Sequence, residues 1–253
     1  MQKSDIAIVG GGFSGVLTAL SVLEAPGSRP RVHLIEQADR FGVGAAFSAR
    51  RPDHLLNVRA MNMSAVPERP DDFMQWLGRR RRGAPEPFAL ASRAEYGAYI
   101  QERLRRVVQT QTAAGRLDLV HDAVTAIRER NGGFELDLAM GRRLHAGAVV
   151  LATGNAPPSR SVLPDPSFAD HSLYVGDPWA AGAFDAIEPD APVLLLGSGL
   201  TMVDVMVSLD ARGQRGPVLA LSRRGLRPHR HALTPPTEAA WRRAPGERLS
   251  ENQ

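Results

Sequence analysis

The first forty residues alternate between apolar runs and polar turns in a pattern that predicts a βαβ unit. The apolar run 6–9 predicts a strand, residues from about 14 to 24 predict a helix, and residues 32–35 predict a second strand that ends at Glu36. One face of the predicted helix is apolar, formed by Val16, Leu17, Leu20 and Leu23. Strands separated by a helix are typical of a parallel sheet.

The middle of the chain first lacks a regular period and then becomes helical. Residues 40–70 are rich in Gly, Asn, Arg and Pro, which predicts a long ordered loop of the kind that is often functional. Helices are predicted for about residues 71–81 and from Ser92 onward. Ser92 and Glu95 have the spacing of a capping box, in which two side chains satisfy main-chain amides at the start of a helix.

The second half of the chain returns to strands. Short alternating segments over about 117–146 predict a small antiparallel β insertion, and Asn131-Gly132 predicts a tight hairpin turn within it. Residues 148–151 predict a buried strand that ends at Ala152-Thr153-Gly154. Another strand–helix–strand unit follows, and its segments are 193–196, 201–211 and 218–221.

A glycine motif joins the first predicted strand to the first helix, with Gly10, Gly12 and Gly15 in the pattern Gly-x-Gly-x-x-Gly. The first glycine permits a tight turn, the second lets the main chain approach a pyrophosphate, and the third lets helix and strand pack closely. Together with Phe13 and Ser14, these residues leave main-chain N–H groups free at the helix N-terminus, where anions are favoured.

Glu36 strengthens this interpretation because it ends the second strand about 20 residues past the motif, where a carboxylate accepts hydrogen bonds from a ribose. The alternative is a structural glycine turn with an unrelated surface glutamate. The motif and Glu36 predict a dinucleotide, but they do not distinguish FAD from NAD.

A second glycine turn repeats this arrangement in the later unit. Gly197 and Gly199 form the turn and Thr201 begins the helix, but Met202 occupies the third glycine position. The helix and strand must therefore lie farther apart, or Met202 must fill the space between them.

Ser222 stands just after the next strand, about 20 residues past Met202, where an NAD site would need an acidic residue, and Arg223 and Arg224 follow it. Guanidinium groups bind phosphate through paired donors, so this sequence favours NADPH, with its 2′-phosphate, over NADH. The alternative is a solvated basic turn.

Composition narrows the function classes. The chain has 253 residues, 43% hydrophobic and 23% charged, as expected for a globular protein. It has no cysteine, which excludes disulfides, thiolate metal sites and a redox-active Cys-x-x-Cys.

The net charge of +4 suits either nucleic acid or an anionic cofactor. Arg79–Arg82 lacks interleaved aromatic residues, so we expect no nucleic-acid partner. No apolar stretch is long enough for a membrane helix, and we expect a cytoplasmic protein.

Several further segments carry a resemblance to a known family. They are Arg40-x-Gly42-x-Gly44-Ala45-Ala46-Phe47-Ser48, His54–Val58, Met61–Ala65, Leu151-Ala152-Thr153-Gly154-Asn155 and Ser222–Leu226. With the two glycine turns, the chain resembles bacterial flavoproteins with two dinucleotide-binding domains, a group that includes flavin-dependent amino-acid N-monooxygenases. The resemblance covers about residues 4–231.

The resemblance implies a domain arrangement and an assignment of cofactors. It implies an α/β fold with a Rossmann-like FAD-binding domain at 1–157, a partial NAD(P)-binding Rossmann-like unit at 158–231 and a polar tail at 232–253. The second unit is expected to be incomplete. Its open sheet edge would then favour self-association or a partner chain that completes the fold.

The resemblance also implies roles for single residues. Arg40 and Gly44 would lie along the FAD pyrophosphate, and Asn57 would contact the flavin from a loop over the isoalloxazine ring. Thr153 and Gly154 would pass close to the cofactor between the two domains. His54, in the same loop as Asn57, is either a proton donor or a structural residue.

These observations predict an FAD-dependent oxidoreductase that uses NADPH and a small-molecule substrate, and that is monooxygenase-like. No side chain stands out as catalytic, as expected when the flavin carries the reaction. The alternatives are a non-catalytic or partner-dependent FAD-binding fragment and an NAD-dependent dehydrogenase without flavin. His229 and His231 lack partners at a usable spacing, so no metal site is expected.

Overall fold

The computed structural model describes residues 5–27, 30–48, 51–84, 86, 88–111, 114–130, 132–156, 165, 167–180 and 182–229. Its strands are β1 (Ile6–Val9), β2 (Val32–Glu36), β3 (Leu117–His121), β4 (Val124–Arg130), β5 (Gly133–Leu138), β6 (Arg143–Ala146), β7 (Ala148–Leu151), β8 (Val193–Leu196) and β9 (Val218–Leu221). Its α-helices are α1 (Phe13–Glu24), α2 (Gly44–Phe47), α3 (Asp72–Arg81), α4 (Arg93–Gln111) and α5 (Leu200–Ala211).

The first unit is built on a parallel sheet with the strand order β3-β2-β1-β7. Ile6 pairs with Val32 on one side and with Ala148 on the other, so all three strands end at the same edge. This arrangement confirms the predicted α/β fold. It also places the ends of β1, β2 and β7 side by side next to the start of α1.

The prediction for residues 117–146 was partly wrong. β3 is a parallel partner of β2, and only β4, β5 and β6 form the antiparallel sheet. A short strand shows the same alternation in either sheet, and its partner is decided by distant residues. The predicted hairpin joins β4 to β5, where Arg130 pairs with Gly133. Gly132 has a φ of +80°, which the turn requires, while Asn131 lies outside the described residues.

Helices α1, α3 and α4 enclose the main core. Fully buried side chains from all three helices meet there, including Val16, Phe73 and Ile100.

The predicted capping box at the start of α4 is confirmed. The main-chain amide of Ser92 donates to the Glu95 carboxylate at 2.8 Å, and the Glu95 amide donates to Ser92 Oγ at 3.1 Å. Within the predicted loop 40–70, α2 and a 3₁₀ turn at Ala60–Asn62 are the helical segments.

The second unit consists of the parallel pair β8–β9 and α5. One face of this pair is open, because Leu194, Leu196, Leu219 and Leu221 are each more than half exposed. The expected burial of β7 is also wrong, since Ala148 and Leu151 are exposed and the two residues between them are only partly buried. Among the described residues, no helix is long and apolar enough to cross a membrane.

Candidate cofactor-binding site

The first glycine turn lies at the edge where β1, β2 and β7 end, and two of its glycines leave no room for a side chain. Gly10 has a φ of +103°, and a Cβ atom there would lie 2.2 Å from the carbonyl oxygen of Ala152. A Cβ at Gly15 would lie 1.8 Å from the carbonyl oxygen of Gly10. Both positions therefore require glycine. The turn holds α1 directly against the ends of β1 and β7, which directs the helix N-terminus toward this edge.

The N-terminus of α1 has no side-chain cap. Gly12 is the N-cap residue, no side chain caps the helix there, and no acidic residue lies in the first turn. The first main-chain amides of a helix have no partner within the helix and carry a partial positive charge, so an anion is favoured here. Ser14 is exposed beside this end, while the ring of Phe13 packs 5.1 Å from that of Phe47.

Glu36 lies beside the same turn. One carboxylate oxygen accepts a hydrogen bond of 2.8 Å from the Gly11 amide, and the other accepts one of 2.9 Å from the Ala38 amide. An ionised carboxylate offers about four acceptor positions, so acceptor capacity remains for ribose hydroxyls. Sequence reasoning missed Gly11. A Cβ there would lie 2.5 Å from the ring of Phe41, so this position also requires glycine.

The segment from Arg40 to Gly44 lies across the glycine turn. The amide of Gly42 donates to the Gly11 carbonyl at 2.7 Å. A Cβ at Gly12 would meet the main chain of Gly44 at 3.5 Å. Gly44 itself has a φ of +52°. These close approaches make a narrow cradle of main-chain atoms around the helix N-terminus, and such a cradle suits a pyrophosphate.

Two residues expected to contact the cofactor are exposed. Arg40 is exposed and donates to Gln101 Oε1 at 3.3 Å, and Gln101 in turn donates to the Phe41 carbonyl at 3.1 Å. Gln101, on α4, was missed by sequence reasoning because its contacts are about 60 residues away. Asn57 is also exposed, in the loop between α2 and α3.

Thr153 and Gly154 follow β7 at the same edge. Both are exposed, and Gly154 has a φ of +73°. His54 has a different environment from the exposed residues of its loop. It is 95% buried, and its Nε2 lies 2.9 Å from Ser208 Oγ on α5. The structure therefore favours the structural alternative for His54 over a free proton donor.

The second glycine turn repeats the main-chain geometry of the first. Gly197 has a φ of +106°, close to the +103° of Gly10. The Gly10 amide donates to the carbonyl of Ile35 in β2, and the Gly197 amide donates to the carbonyl of Leu221 in β9. Gly199 is the N-cap of α5 with a ψ of −170°, beside −166° for Gly12, and it too lacks a side-chain cap. Among the described residues, the two glycine turns thus lead into helix N-termini with the same main-chain geometry and no side-chain cap, a lack that α2 and α3 share.

The phosphate-binding candidates of the second unit lie on its surface. Thr201, Arg223 and Arg224 are exposed, and Met202 is partly buried. The hydroxyl of Ser198, within the glycine turn, donates to the carbonyl of Leu226. This bond holds the segment that carries both arginines close to the second turn. His229 is exposed, and His231 lies outside the described residues.

Comparison with known proteins agrees with this geometry. An L-aspartate N-monooxygenase (nitrosuccinate-forming) of Streptomyces cremeus is 37% identical over 162 residues, which are 60% of this chain and 24% of that enzyme. The chain therefore spans about a quarter of the length of this curated relative.

Solved structures share the fold at low identity. The ornithine N-hydroxylase of Kutzneria sp. 744, solved with reduced FAD, NADP⁺ and L-ornithine, has a TM-score of 0.59 and 17% identity, with 87% of this chain and 54% of that chain covered. A mutant flavin monooxygenase of Stenotrophomonas maltophilia has a TM-score of 0.53 and 17% identity, with coverages of 87% and 58%.

The family model described as FAD-NAD(P)-binding matches residues 7–156, more than half of the chain. The match contains both the first glycine turn and the end of β7, which form the first candidate site. The chain therefore belongs to the FAD-NAD(P)-binding family.

Proposed function

We propose that this chain is an FAD-dependent oxidoreductase that takes its reducing equivalents from NADPH and acts as a monooxygenase on a small molecule. The observation that carries the proposal is the repetition of one uncapped glycine turn, at Gly10–Gly12 and again at Gly197–Gly199. One dinucleotide needs one such turn, so two turns fit a pair of dinucleotide cofactors.

The first site is the better fit for FAD. It combines the cradle around Gly12 and Gly44 with Glu36, whose carboxylate retains acceptors for a ribose. In this proposal, main-chain amides at the start of α1 hold the pyrophosphate, Arg40 balances its charge, and Asn57, Thr153 and Gly154 line the approach to the flavin ring.

The second site supplies the features that favour NADPH. Main-chain amides at Gly199 and Thr201 would hold the pyrophosphate, while Arg223 and Arg224 would pair with the 2′-phosphate. When bound, the flavin supplies the redox chemistry, since it accepts a hydride from the reduced nicotinamide and then passes electrons to oxygen. In this proposal the protein binds and orients the cofactors. The relative's action on an amino acid makes a small amino acid the first substrate class to test.

The experiment is a visible spectrum followed by reduction. The purified chain is saturated with FAD, free cofactor is removed, and NADPH or NADH is added without oxygen. A retained flavin band that NADPH bleaches faster than NADH supports the proposal. A colourless protein overturns it for this chain. Glu36→Ala serves as the variant of the FAD site, and Glu129→Ala, an exposed residue of β4, is its matched control.

A second candidate is an FAD-binding protein that needs a partner for turnover. It is favoured by the open face of β8–β9, where Leu194, Leu196, Leu219 and Leu221 are 55–66% exposed. Contiguous exposed apolar surface of this kind usually marks an interaction site. A chain that retains FAD but is not bleached by NADPH would support this candidate over the first.

A further inference from the structure

The two dinucleotide-binding units meet at a buried polar contact that neither glycine turn requires. His54 comes from the loop before α3, and Arg93 is the first residue of α4, so both belong to the first unit. Asp204 and Ser208 lie four residues apart on α5 of the second unit and share one helix face. Asp204 and Ser208 are 7% and 6% exposed, although that helix face is otherwise suited to apolar residues.

The contact consists of two polar pairs. Arg93 lies 2.7 Å from the Asp204 carboxylate, and His54 Nε2 lies 2.9 Å from Ser208 Oγ. The Ser208 hydroxyl donates its single hydrogen to the Asp204 carbonyl at 2.8 Å. With that hydrogen used, Ser208 Oγ can accept a hydrogen bond from His54 in the tautomer that carries its proton on Nε2.

Trp179, from the connection between the units, closes the contact from one side. Its ring stands edge-on to that of His54 at 5.9 Å, and the guanidinium of Arg93 lies over it at 5.6 Å. The main chain adds a further link, since the Arg93 amide donates to the His54 carbonyl at 2.8 Å. His54 and Arg93 are thus held together within the first unit before they meet α5.

We propose that His54, Arg93, Asp204 and Ser208 form an interdomain joint that fixes the angle between the two units and so acts as a set of positioning residues for hydride transfer. The positioning role rests on the proposed function. A buried carboxylate without its cation is strongly unfavourable, so any rotation that separates Asp204 from Arg93 is opposed. An apolar contact would tolerate sliding, whereas this ion pair is lost when Arg93 and Asp204 separate.

The location of the joint links the two candidate cofactor sites. His54 lies three residues before Asn57, which the proposed function places at the flavin, and α5 begins directly after its N-cap Gly199, in the second site. Ser208 lies roughly 12 Å along α5 from the helix start, given the 1.5 Å rise per residue. A change of angle at the joint therefore displaces the second site relative to the first, because α5 carries the rotation over that length.

Distance measurement by pulsed electron paramagnetic resonance tests the joint. The chain has no cysteine, so Gln109→Cys on α4 and Asp210→Cys on α5, both at exposed positions, take nitroxide labels selectively. We expect one narrow distance distribution in this background and a broad one after Asp204→Ala. The matched control is Asp190→Ala, which removes an exposed ion pair with Arg215 inside the second unit and should leave the distribution narrow.

Ser208→Ala is the milder variant should Asp204→Ala fail to fold, and it should broaden the distribution to a lesser extent. If folded Asp204→Ala or Ser208→Ala gives a distance distribution as narrow as that of the control, the proposed joint is wrong. Anaerobic stopped-flow with NADPH provides the second readout. Asp204→Ala should slow flavin bleaching about 10- to 100-fold, as misplacement of reacting groups does, with little change in the KM for NADPH. A wild-type chain that is not bleached contradicts the proposed function, while the distance distributions still decide the joint.

Discussion

The carboxylate of Glu36 and the main-chain amide of Gly11 are joined by a hydrogen bond of 2.8 Å across 25 residues of sequence. The bond connects the candidate ribose anchor at the end of β2 to the turn that presents the amides of α1. The second carboxylate oxygen binds the Ala38 amide, so Glu36 also shapes the start of its own loop. In the proposed function, ribose recognition and the geometry of the pyrophosphate cradle would therefore be coupled through one side chain.

Glu36→Ala should reduce both stability and FAD retention. It removes the acceptor for two main-chain amides, and a hydrogen bond to a charged group contributes about 1.5–3 kcal/mol. We expect urea unfolding of the cofactor-free chain to show a free energy lower by about 2 kcal/mol or more, together with weaker FAD binding. Glu129→Ala, on the exposed end of β4, should change neither quantity. Equal unfolding midpoints for wild type and Glu36→Ala would show that the coupling does not exist.

Gly15→Ala should disrupt the first unit. Its Cβ would lie 1.8 Å from the Gly10 carbonyl oxygen, so α1 would have to move away from β1. Overpacking of this kind costs about 1–3 kcal/mol or more, and displacement of the amides should abolish FAD retention. The measurements are thermal unfolding and the flavin band after gel filtration. Gly83→Ala has open space and an ordinary φ, so it is the control that should fold and bind like wild type. Retention of flavin by Gly15→Ala would contradict the proposed role of the turn.

Stability in acid should depend on Asp118 of β3, whose carboxylate is hydrogen-bonded to His33 of β2 and to Arg142. Burial alone would raise the pKa of Asp118, but hydrogen bonds from His33 and Arg142 outweigh it and lower the pKa below its usual 3.8. A lowered folded-state pKa gives stability that is fully present above the unfolded-state pKa and is lost as pH falls through the folded-state value. Wild type should therefore lose stability below a pH of about 4.

Asp118→Asn should flatten this acid limb and lower stability near neutral pH, because the ionised acceptor is gone. The free energy of unfolding, measured in urea between pH 3 and pH 7, reports both effects. Asp210→Asn, at an exposed position of α5, is the control and should follow the wild-type curve. Identical pH profiles for Asp118→Asn and wild type would rule out a stabilising role for this cluster.

Removal of both arginines after β9 should change the choice of nicotinamide cofactor. Charge-assisted pairing of a guanidinium with phosphate contributes about 1.5–3 kcal/mol, which corresponds to about 10- to 150-fold in affinity. We expect the double variant Arg223→Ala/Arg224→Ala to raise the KM for NADPH by such a factor and to leave that for NADH nearly unchanged. Arg215→Ala is the control, since Arg215 pairs with Asp190 away from the turn. An equal rise in the KM for NADPH and in the KM for NADH would show that the arginines act only through their positive charge and do not recognise the 2′-phosphate.

Much of the fold follows from local patterns in the sequence. The strand, turn and helix of both units were predicted to within one or two residues, as in α1 and α5, because side-chain periodicity depends only on nearby positions. The capping box at Ser92 and Glu95 was predicted for the same reason. The glycine motifs of both turns also follow from sequence, and at Gly10, Gly15 and Gly197 the structure gives the reason, which is a positive φ or a lack of room for a Cβ.

Non-local pairing was decided by the tertiary structure. β3 joins the parallel sheet although its alternation suits an antiparallel hairpin equally well, because its register depends on β2, about 80 residues earlier. Leu151 is exposed because β7 lies at the sheet edge, a position that no local pattern encodes. The joint between Arg93 and Asp204, more than 100 residues apart, is of the same kind. The sequence by itself determined most of the strands and helices and the two glycine turns. Packing across long separations decided which strands pair and which side chains are buried, because burial and ion pairing depend on distances that a linear pattern does not contain.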